Sequence, residues 1–139
     1  MSVIVDTSVW SLALRRRVEH GEKNERKELA ALIDEGRVAM LGAIRQELLS
    51  GVRAKEQFRQ LRERLRAFVD VRVEHIDYEN AAACFNECRA KGVQGSNTDY
   101  LLCAVALRRD LAIFTGDDDF AHYQKVLGFK LHEIRAEFG

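Results

Sequence analysis

Short runs of consecutive apolar residues punctuate a chain whose remaining apolar positions recur every three or four residues. Val3-Ile4-Val5 runs into Asp6-Thr7-Ser8, Val38-Ala39-Met40-Leu41 stops at Gly42, and Leu111-Ala112-Ile113-Phe114 runs into Thr115-Gly116-Asp117-Asp118-Asp119. An apolar run bounded by turn residues predicts a strand covered on both faces, as in a parallel sheet. Val71–Ile76 and Phe129–Ile134 read as two further short strands.

The intervening segments read as helices. One is predicted from Val9 to about Arg17 with Ser8 placed to cap it, and Gly21 marks a turn. A second, Glu22–Glu35, ends at Gly36. Two more cover about Ala43–Val52 and Lys55–Phe68; the latter puts Phe58, Leu61, Leu65 and Phe68 on one face. Asp77 is placed to cap a helix reaching about Ala90, and Asn97 or Thr98 to cap an apolar helix carrying Leu101, Leu102, Val105, Ala106 and Leu107. The last helix spans about Phe120–Leu127 and ends at Gly128. Strands alternating with helices predict parallel βαβ units in a doubly wound sheet. There is no proline, no Gly/Ser-rich linker and no repeat, so residues 1–139 read as one compact domain.

This topology gives four acids a shared address. Asp6 ends the first strand, Asp117 follows the penultimate one, Glu47 lies one turn into the helix after the second strand, and Asp99 lies in the first turn of the apolar helix. Strand ends and following helix starts gather at one rim of a parallel sheet, where ligands bind. No basic residue lies within the Asp6 or Asp117 motifs, so gathered carboxylates there require a cation. Oxygen ligands select Mg²⁺ or Mn²⁺. Taken singly, each acid has a plainer role: Asp6 and Asp117 as helix caps, Glu47 as an exposed helix residue, Asp99 as a complement to its helix dipole.

Bulk properties narrow the class. Apolar residues make up 47 %, which excludes a disordered chain. No apolar run approaches the ~20 residues that span a bilayer, the first strand begins too early for a signal peptide, and three cysteines suit a reducing interior. A cytoplasmic location is expected. Net charge is zero, yet residues 1–72 hold 15 Lys/Arg against 11 Asp/Glu and residues 73–139 hold 7 against 11. That split suits an acidic centre beside a basic surface for phosphates, although ordinary scatter produces such splits too.

The order and spacing of Asp6-Thr7-Ser8-Val9-Trp10, Glu47-Leu48-Leu49-Ser50-Gly51, Asp99 opening an apolar helix, and Thr115-Gly116-Asp117-Asp118-Asp119-Phe120 resemble the PIN-domain ribonucleases, in particular the VapC toxins of type II toxin–antitoxin systems. The resemblance spans nearly the whole chain. It implies a three-layer α/β/α sandwich with a mainly parallel central sheet of about five strands, and Mg²⁺- or Mn²⁺-dependent endonucleolytic cleavage of RNA. Carried over, the family's acidic quartet falls on Asp6, Glu47, Asp99 and Asp117. Asp6, Asp99 and Asp117 are the implied metal anchors; Glu47 acts through water or on the nucleophile, and Asp119 matches an extra acid of some members. Thr115 matches a hydroxyl position beside the site, with Thr7 close by. Implied partners are an RNA substrate (transfer or ribosomal RNA), a VapB-type antitoxin and a second copy in a homodimer, for which the helices from Ala43 to Phe68 offer apolar surface. A maturation role, or cleavage of structured DNA, fits the same resemblance.

Other features carry less. Arg15, Arg16, Arg17 and the stretch from Arg53 through Arg59 to Arg66 are candidates for holding RNA phosphates, against a solvated face or ion pairs with Glu56 and Glu63. Trp10 and Tyr100 flank acidic positions, and core packing is the better reading than stacking on a base. Cys84 and Cys88 share a helix face without partners for a zinc set, which favours buried thiols. His20, His75, His122 and His132 are scattered. A receiver-like Mg²⁺-binding regulatory module is the alternative class; it wants an acceptor Asp ending the third strand, where Val71–Ile76 offers only Asp77.

Overall fold

A computed structural model describes residues 1–14 and 22–138. The three uninterrupted apolar runs become strands: β1 (Val3–Val5), β2 (Val38–Ala39) and β3 (Ala112–Phe114), with β4 (Lys130–Leu131) at the far edge. All pair in parallel in the order β2-β1-β3-β4, with Val3 opposite both Val38 and Ala112. Every residue of β1 and β3 is buried, as expected for strands covered on both faces.

The helices are α1 (Thr7–Leu14), α2 (Glu22–Asp34), α3 (Gly42–Leu49), α4 (Lys55–Leu65), α5 (His75–Ala90), α6 (Asn97–Arg109) and α7 (Asp119–Leu127), followed by a short 3₁₀ turn at Ala136–Phe138. Helices α1–α4 pack among themselves, and α5, α6 and α7 form a second group. The right-handed rule for parallel crossovers puts the α1–α2 connection and the α7 connection on opposite faces of the sheet. Helix α6 is the central helix: Tyr100 to Ala106 are all buried, so it is apolar on every side. The result is the α/β sandwich expected, flanking a parallel sheet. None of the described helices is long and apolar enough to cross a membrane.

Three expectations need correction. The described sheet has four strands, not about five, because Val71–Ile76 forms none: the chain touches the β2 edge through a single parallel bridge between Met40 and Asp70. Beyond it, the Arg72 carbonyl accepts from the Arg109 side chain at 2.7 Å, not from a neighbouring strand. Helix α5 starts early, at His75, and Asp77 sits inside its first turn with its carboxylate reaching back to the Glu74 amide at 2.9 Å. At α6 the cap is Ser96, one residue before Asn97. Cys84, Cys88 and Cys103 are free and buried, as read from the sequence.

Candidate active site

Strand order decides where the chain can work. From β1 the path leads through α1 and α2 to β2 on one side, whereas from β3 it leads through α7 to β4 on the other. The winding therefore reverses between β1 and β3, and the crevice beyond their carboxyl ends is the topological switch point where open α/β sheets bind ligands. Asp6 leaves β1 at that crevice, and Thr115, Gly116 and Asp117 leave β3. The Asp6 amide donates to the Phe114 carbonyl at 2.9 Å, so the ladder extends to the acid itself.

Asp6 is 8 % exposed. Its Oδ2 accepts hydrogen bonds from Ser8 Oγ at 2.8 Å and from Thr115 Oγ1 at 2.9 Å. Each hydroxyl is itself oriented by a backbone amide: Gly116 N donates to Ser8 Oγ, and Asp117 N donates to Thr115 Oγ1, both at 3.0 Å. The two hydroxyl protons are thereby aimed at Asp6. Ser8 lies inside α1 and serves this carboxylate, which replaces the capping role read from sequence. These partners are neutral, so they hold the carboxylate in place without cancelling its charge.

Asp99 reaches the same rim from the first turn of α6. Ser96 Oγ accepts the Asp99 amide at 3.1 Å, and the Tyr123 hydroxyl donates to Asp99 Oδ2 at 3.0 Å. Burial pushes the Asp99 carboxyl above its ordinary value and the nearby Asp6 charge adds to this, against the stabilising bonds from Tyr123 and Ser96. Burial and the Asp99 bond keep the Tyr123 phenol protonated, fixing it as a donor. A Cβ built on Gly95 would come within 2.4 Å of the Tyr123 hydroxyl, so the loop into α6 crosses this tyrosine only because residue 95 is glycine.

The other two acids join at one remove. Glu47, exposed on α3, accepts from Thr7 Oγ1 at 3.0 Å, directly beyond Asp6. Asp117 Oδ1 accepts the Asp119 amide at 2.9 Å and so steadies the start of α7, part of the plainer role foreseen for it. Among the described residues no three carboxylate, imidazole or thiol groups stand close enough to form a ready-made metal-binding group. Asp6 and Asp99 interact through their charges; Thr7 links Glu47, and Thr115 links the Asp117 backbone, to the Asp6 end. None of Asp6, Glu47, Asp99, Asp117 and Asp119 forms an ion pair with Lys, Arg or His among the described residues.

Sequence reasoning missed three residues here. Ser96 and Tyr123 fix Asp99; Ser96 is a cap residue one position before the assumed helix start, whereas Tyr123 carried no local signal. Glu25 of α2 lies against the turn after β3, its Oε2 3.1 Å from a Cβ built on Gly116, and nothing in its helical surroundings marks it. Of the proposed phosphate-holding residues, Arg15, Arg16 and Arg17 lie outside the described residues, as do His20 and Gly21. Arg59 is bound to Glu56 and Glu63, so its charge is already matched within α4. Arg53 is exposed. Trp10 and Tyr100 are core residues, Trp10 edge-on to Phe68 at 5.2 Å between ring centroids.

The receiver-like alternative loses its footing. Val71–Ile76 forms no strand that could end at Asp77, and that carboxylate is fully buried against Arg108. Comparison with known proteins points elsewhere. Among solved structures, FitAcB from Neisseria gonorrhoeae matches with a TM-score of 0.71 at 18 % identity, covering 94 % of this chain and 96 % of that one. VapBC2 from Rickettsia felis, bound to a DNA fragment from their promoter, matches with a TM-score of 0.75 at 16 % identity, covering 95 % and 98 %. At such identities the likeness is one of fold. No curated protein matches by sequence. The profile of the PIN domain, a family generally made of nucleases, matches residues 3–126, from the first residue of β1 to the last turn of α7. An acidic rim at the β1/β3 switch point, with that match across most of its length, makes this chain a member of the PIN-domain family.

Proposed function

We propose that this chain is a Mg²⁺- or Mn²⁺-dependent endoribonuclease and the VapC-type toxin of a toxin–antitoxin module. The observation that carries this reading is Asp6: a nearly buried carboxylate, held only by neutral hydroxyls, beside Asp99 and without any basic partner among the described residues. A buried charge without a counterion is costly. A hard cation relieves that cost, and the donors offered are all oxygens. Mg²⁺ usually takes only one or two carboxylates and keeps several waters, so the Asp6–Asp99 pair suffices without a closed protein cage.

Asp6, Asp99 and Asp117 would anchor the ion, directly or through its waters, with Glu47 acting through water or on the nucleophile and Asp119 as a further acid. When bound, the ion activates water and offsets charge on a phosphate undergoing displacement. Ser8 and Thr115 fix the direction of the Asp6 carboxylate, and Tyr123 fixes that of Asp99. Glu47, exposed and bonded by Thr7, would take the proton of the attacking water. Exposed Arg53 is available to phosphates; Arg59, already paired, is the weaker candidate.

The resemblance to VapC toxins and the fold shared with VapBC2 support a VapB-type antitoxin as partner. A groove of about 300 Å³ between α1, α2 and α4, lined by Trp10, Leu29, Leu61 and Phe68 with Leu14 and Ile33 exposed at its edge, gives such a partner apolar surface to cover. A homodimer and a cytoplasmic location belong to the same reading.

The test is expression of the wild type beside Asp6→Asn, with sequencing of 5′ ends of cellular RNA. Growth arrest and new 5′ ends in transfer or ribosomal RNA are expected with the wild type alone. Millimolar Mg²⁺ or Mn²⁺ should also raise the melting temperature of the wild type and not of Asp6→Asn. Equal cleavage by both proteins removes the mechanism; cleavage confined to structured DNA, or of one precursor RNA without growth arrest, replaces the toxin reading.

A further inference from the structure

Beside the acidic rim lies a cavity of about 260 Å³, formed by the loop between α5 and α6 and the first turns of α7. Its lining is Gly92, Val93, Gln94, Asp119, His122 and Tyr123. Tyr123 belongs to both places, since its hydroxyl is bonded to Asp99 at 3.0 Å. A polynucleotide with a phosphate at Asp6 and Asp99 therefore has this cavity within reach of an adjoining base.

Part of the wall is held in place by its own contacts, while Gln94, Asp119 and His122 are exposed. The Tyr100 hydroxyl donates to the Val93 carbonyl at 3.4 Å, Gly92 turns the chain in the left-handed region at φ 77°, and the Tyr123 ring packs on Tyr100 and Phe120 at 5.1 Å. Gly95, without a side chain, lets the loop lie close over the Tyr123 hydroxyl. The volume falls just under the ~300–1,000 Å³ of sites for drug-sized ligands, which suits a single planar ring system.

The chemistry of the lining selects among parts of a nucleotide. It contains no lysine or arginine and one carboxylate, so it repels a phosphate. It offers an imidazole face for stacking, and Asp119 and the Gln94 carbonyl as acceptors. Single-stranded RNA is read by stacking of splayed bases on aromatic or histidine rings, with hydrogen bonds to base edges. Carboxylate and amide acceptors pair with exocyclic amino groups, which adenine, cytosine and guanine carry and uracil lacks.

We infer that this cavity is a nucleobase pocket that seats a base next to the cleaved phosphate, with His122 stacking on it, the Gln94 amide contacting the base edge and the acceptor-only Asp119 carboxylate favouring an amino-bearing base over uracil. The inference deepens the nuclease reading and rests on it. Its test uses the full chain carrying Asp6→Asn, so that RNA is bound and not cut. Fluorescence anisotropy compares short single-stranded RNAs of identical length that carry adenine, cytosine, guanine or uracil at each position in turn. One position should disfavour uracil, and adding His122→Ala or Gln94→Ala should weaken the amino-bearing oligonucleotides roughly tenfold while uracil changes little. In the cleaving protein the same substitutions should raise KM more than they lower kcat and shift the base found beside mapped cuts. Unchanged preference at every position, in variants with wild-type melting temperature, overturns the pocket and leaves the nuclease reading standing. A wild type that binds and cuts no RNA overturns both.

Discussion

Buried carboxylates occur in two settings in this chain, and the two are handled in opposite ways. Glu28 of α2 and Asp77 of α5 are fully buried, and each is gripped by an arginine. Arg135 meets Glu28 at 2.8 and 2.9 Å, with His132 Nε2 3.0 Å from the same carboxylate, and Arg108 meets Asp77 at 2.8 Å. Asp6, almost as buried, meets two hydroxyls and a neighbouring acid. The paired acids join segments distant in sequence: Glu28 ties the C-terminal stretch to α2, and Asp77 ties the start of α5 to the end of α6. Asp6 is also bridged to a distant segment, by Thr115, but through neutral hydroxyls, and among the described residues no arginine, lysine or histidine pairs with it. Acidity follows the same division. Burial pushes Glu28 up, but the Arg135 side chain and amide, with His132, outweigh it and hold the carboxyl at about 2. Arg108 holds Asp77 below its ordinary value against burial, whereas Asp99 is raised. The two paired acids hold the fold together, whereas the acids of the rim have no basic partner among the described residues.

The contrast is most directly broken at Glu28. Glu28→Gln should cost roughly 3–5 kcal/mol, as removal of one partner from a buried ion pair usually does, read as a lowered urea midpoint with unchanged slope. In the same metal-free assay Asp6→Asn should change stability by less than about 1 kcal/mol, or raise it, because no ion pair is lost. Equal losses at both positions would erase the distinction.

Acid titration comes next. Glu28 sits at about 2 in the fold against an ordinary 4.5, so the stability it contributes is present above pH 4.5 and disappears as pH falls toward 2. A shift of this size is worth up to roughly 3 kcal/mol. Asp99 has the opposite sign: its raised carboxyl contributes stability at acid pH that is lost as pH climbs through its folded value. Stability against pH in metal-free buffer should show both slopes, with Glu28→Gln reducing the acid-side loss, to which Asp77 and Glu35 also contribute, and Asp99→Asn removing the other.

The smallest effect sharpens the rim itself. Thr115→Val removes one hydroxyl bond to Asp6 and the acceptor of the Asp117 amide. Stability should fall by about 1 kcal/mol, while cleavage should fall roughly 10–100-fold, the usual consequence of losing a group that orients a metal ligand. Cleavage unchanged to within twofold would show that Asp6 does not depend on this hydroxyl.

Much of this arrangement is legible in the chain. The apolar runs at Val3–Val5, Val38–Leu41 and Leu111–Phe114 mark the buried strands because they are short, lack polar positions and are bounded by turn residues, whereas the longer apolar run of α6 is a buried helix. Asp6 and Asp117 are visible as acids because they terminate two of those runs. Val71–Ile76 misleads: its apolar residues suggest a strand, yet a first-turn carboxylate at Asp77 begins α5 at His75 and an arginine takes the Arg72 carbonyl. Asp77 itself looks like an ordinary cap, and only the packing of α6 reveals Arg108 beside it.

Local pattern determined most of the elements, their order and the acids that follow the strands, since those follow from periodicity and turn chemistry within a few residues. Packing alone decided which acids are neighbours and which are neutralised. Thr115 and Asp6 stand 109 positions apart and Tyr123 and Asp99 stand 24 apart, and no spacing rule spans such gaps. They meet because the winding of the sheet reverses between β1 and β3, and because Gly95 lets a loop lie flat on a tyrosine.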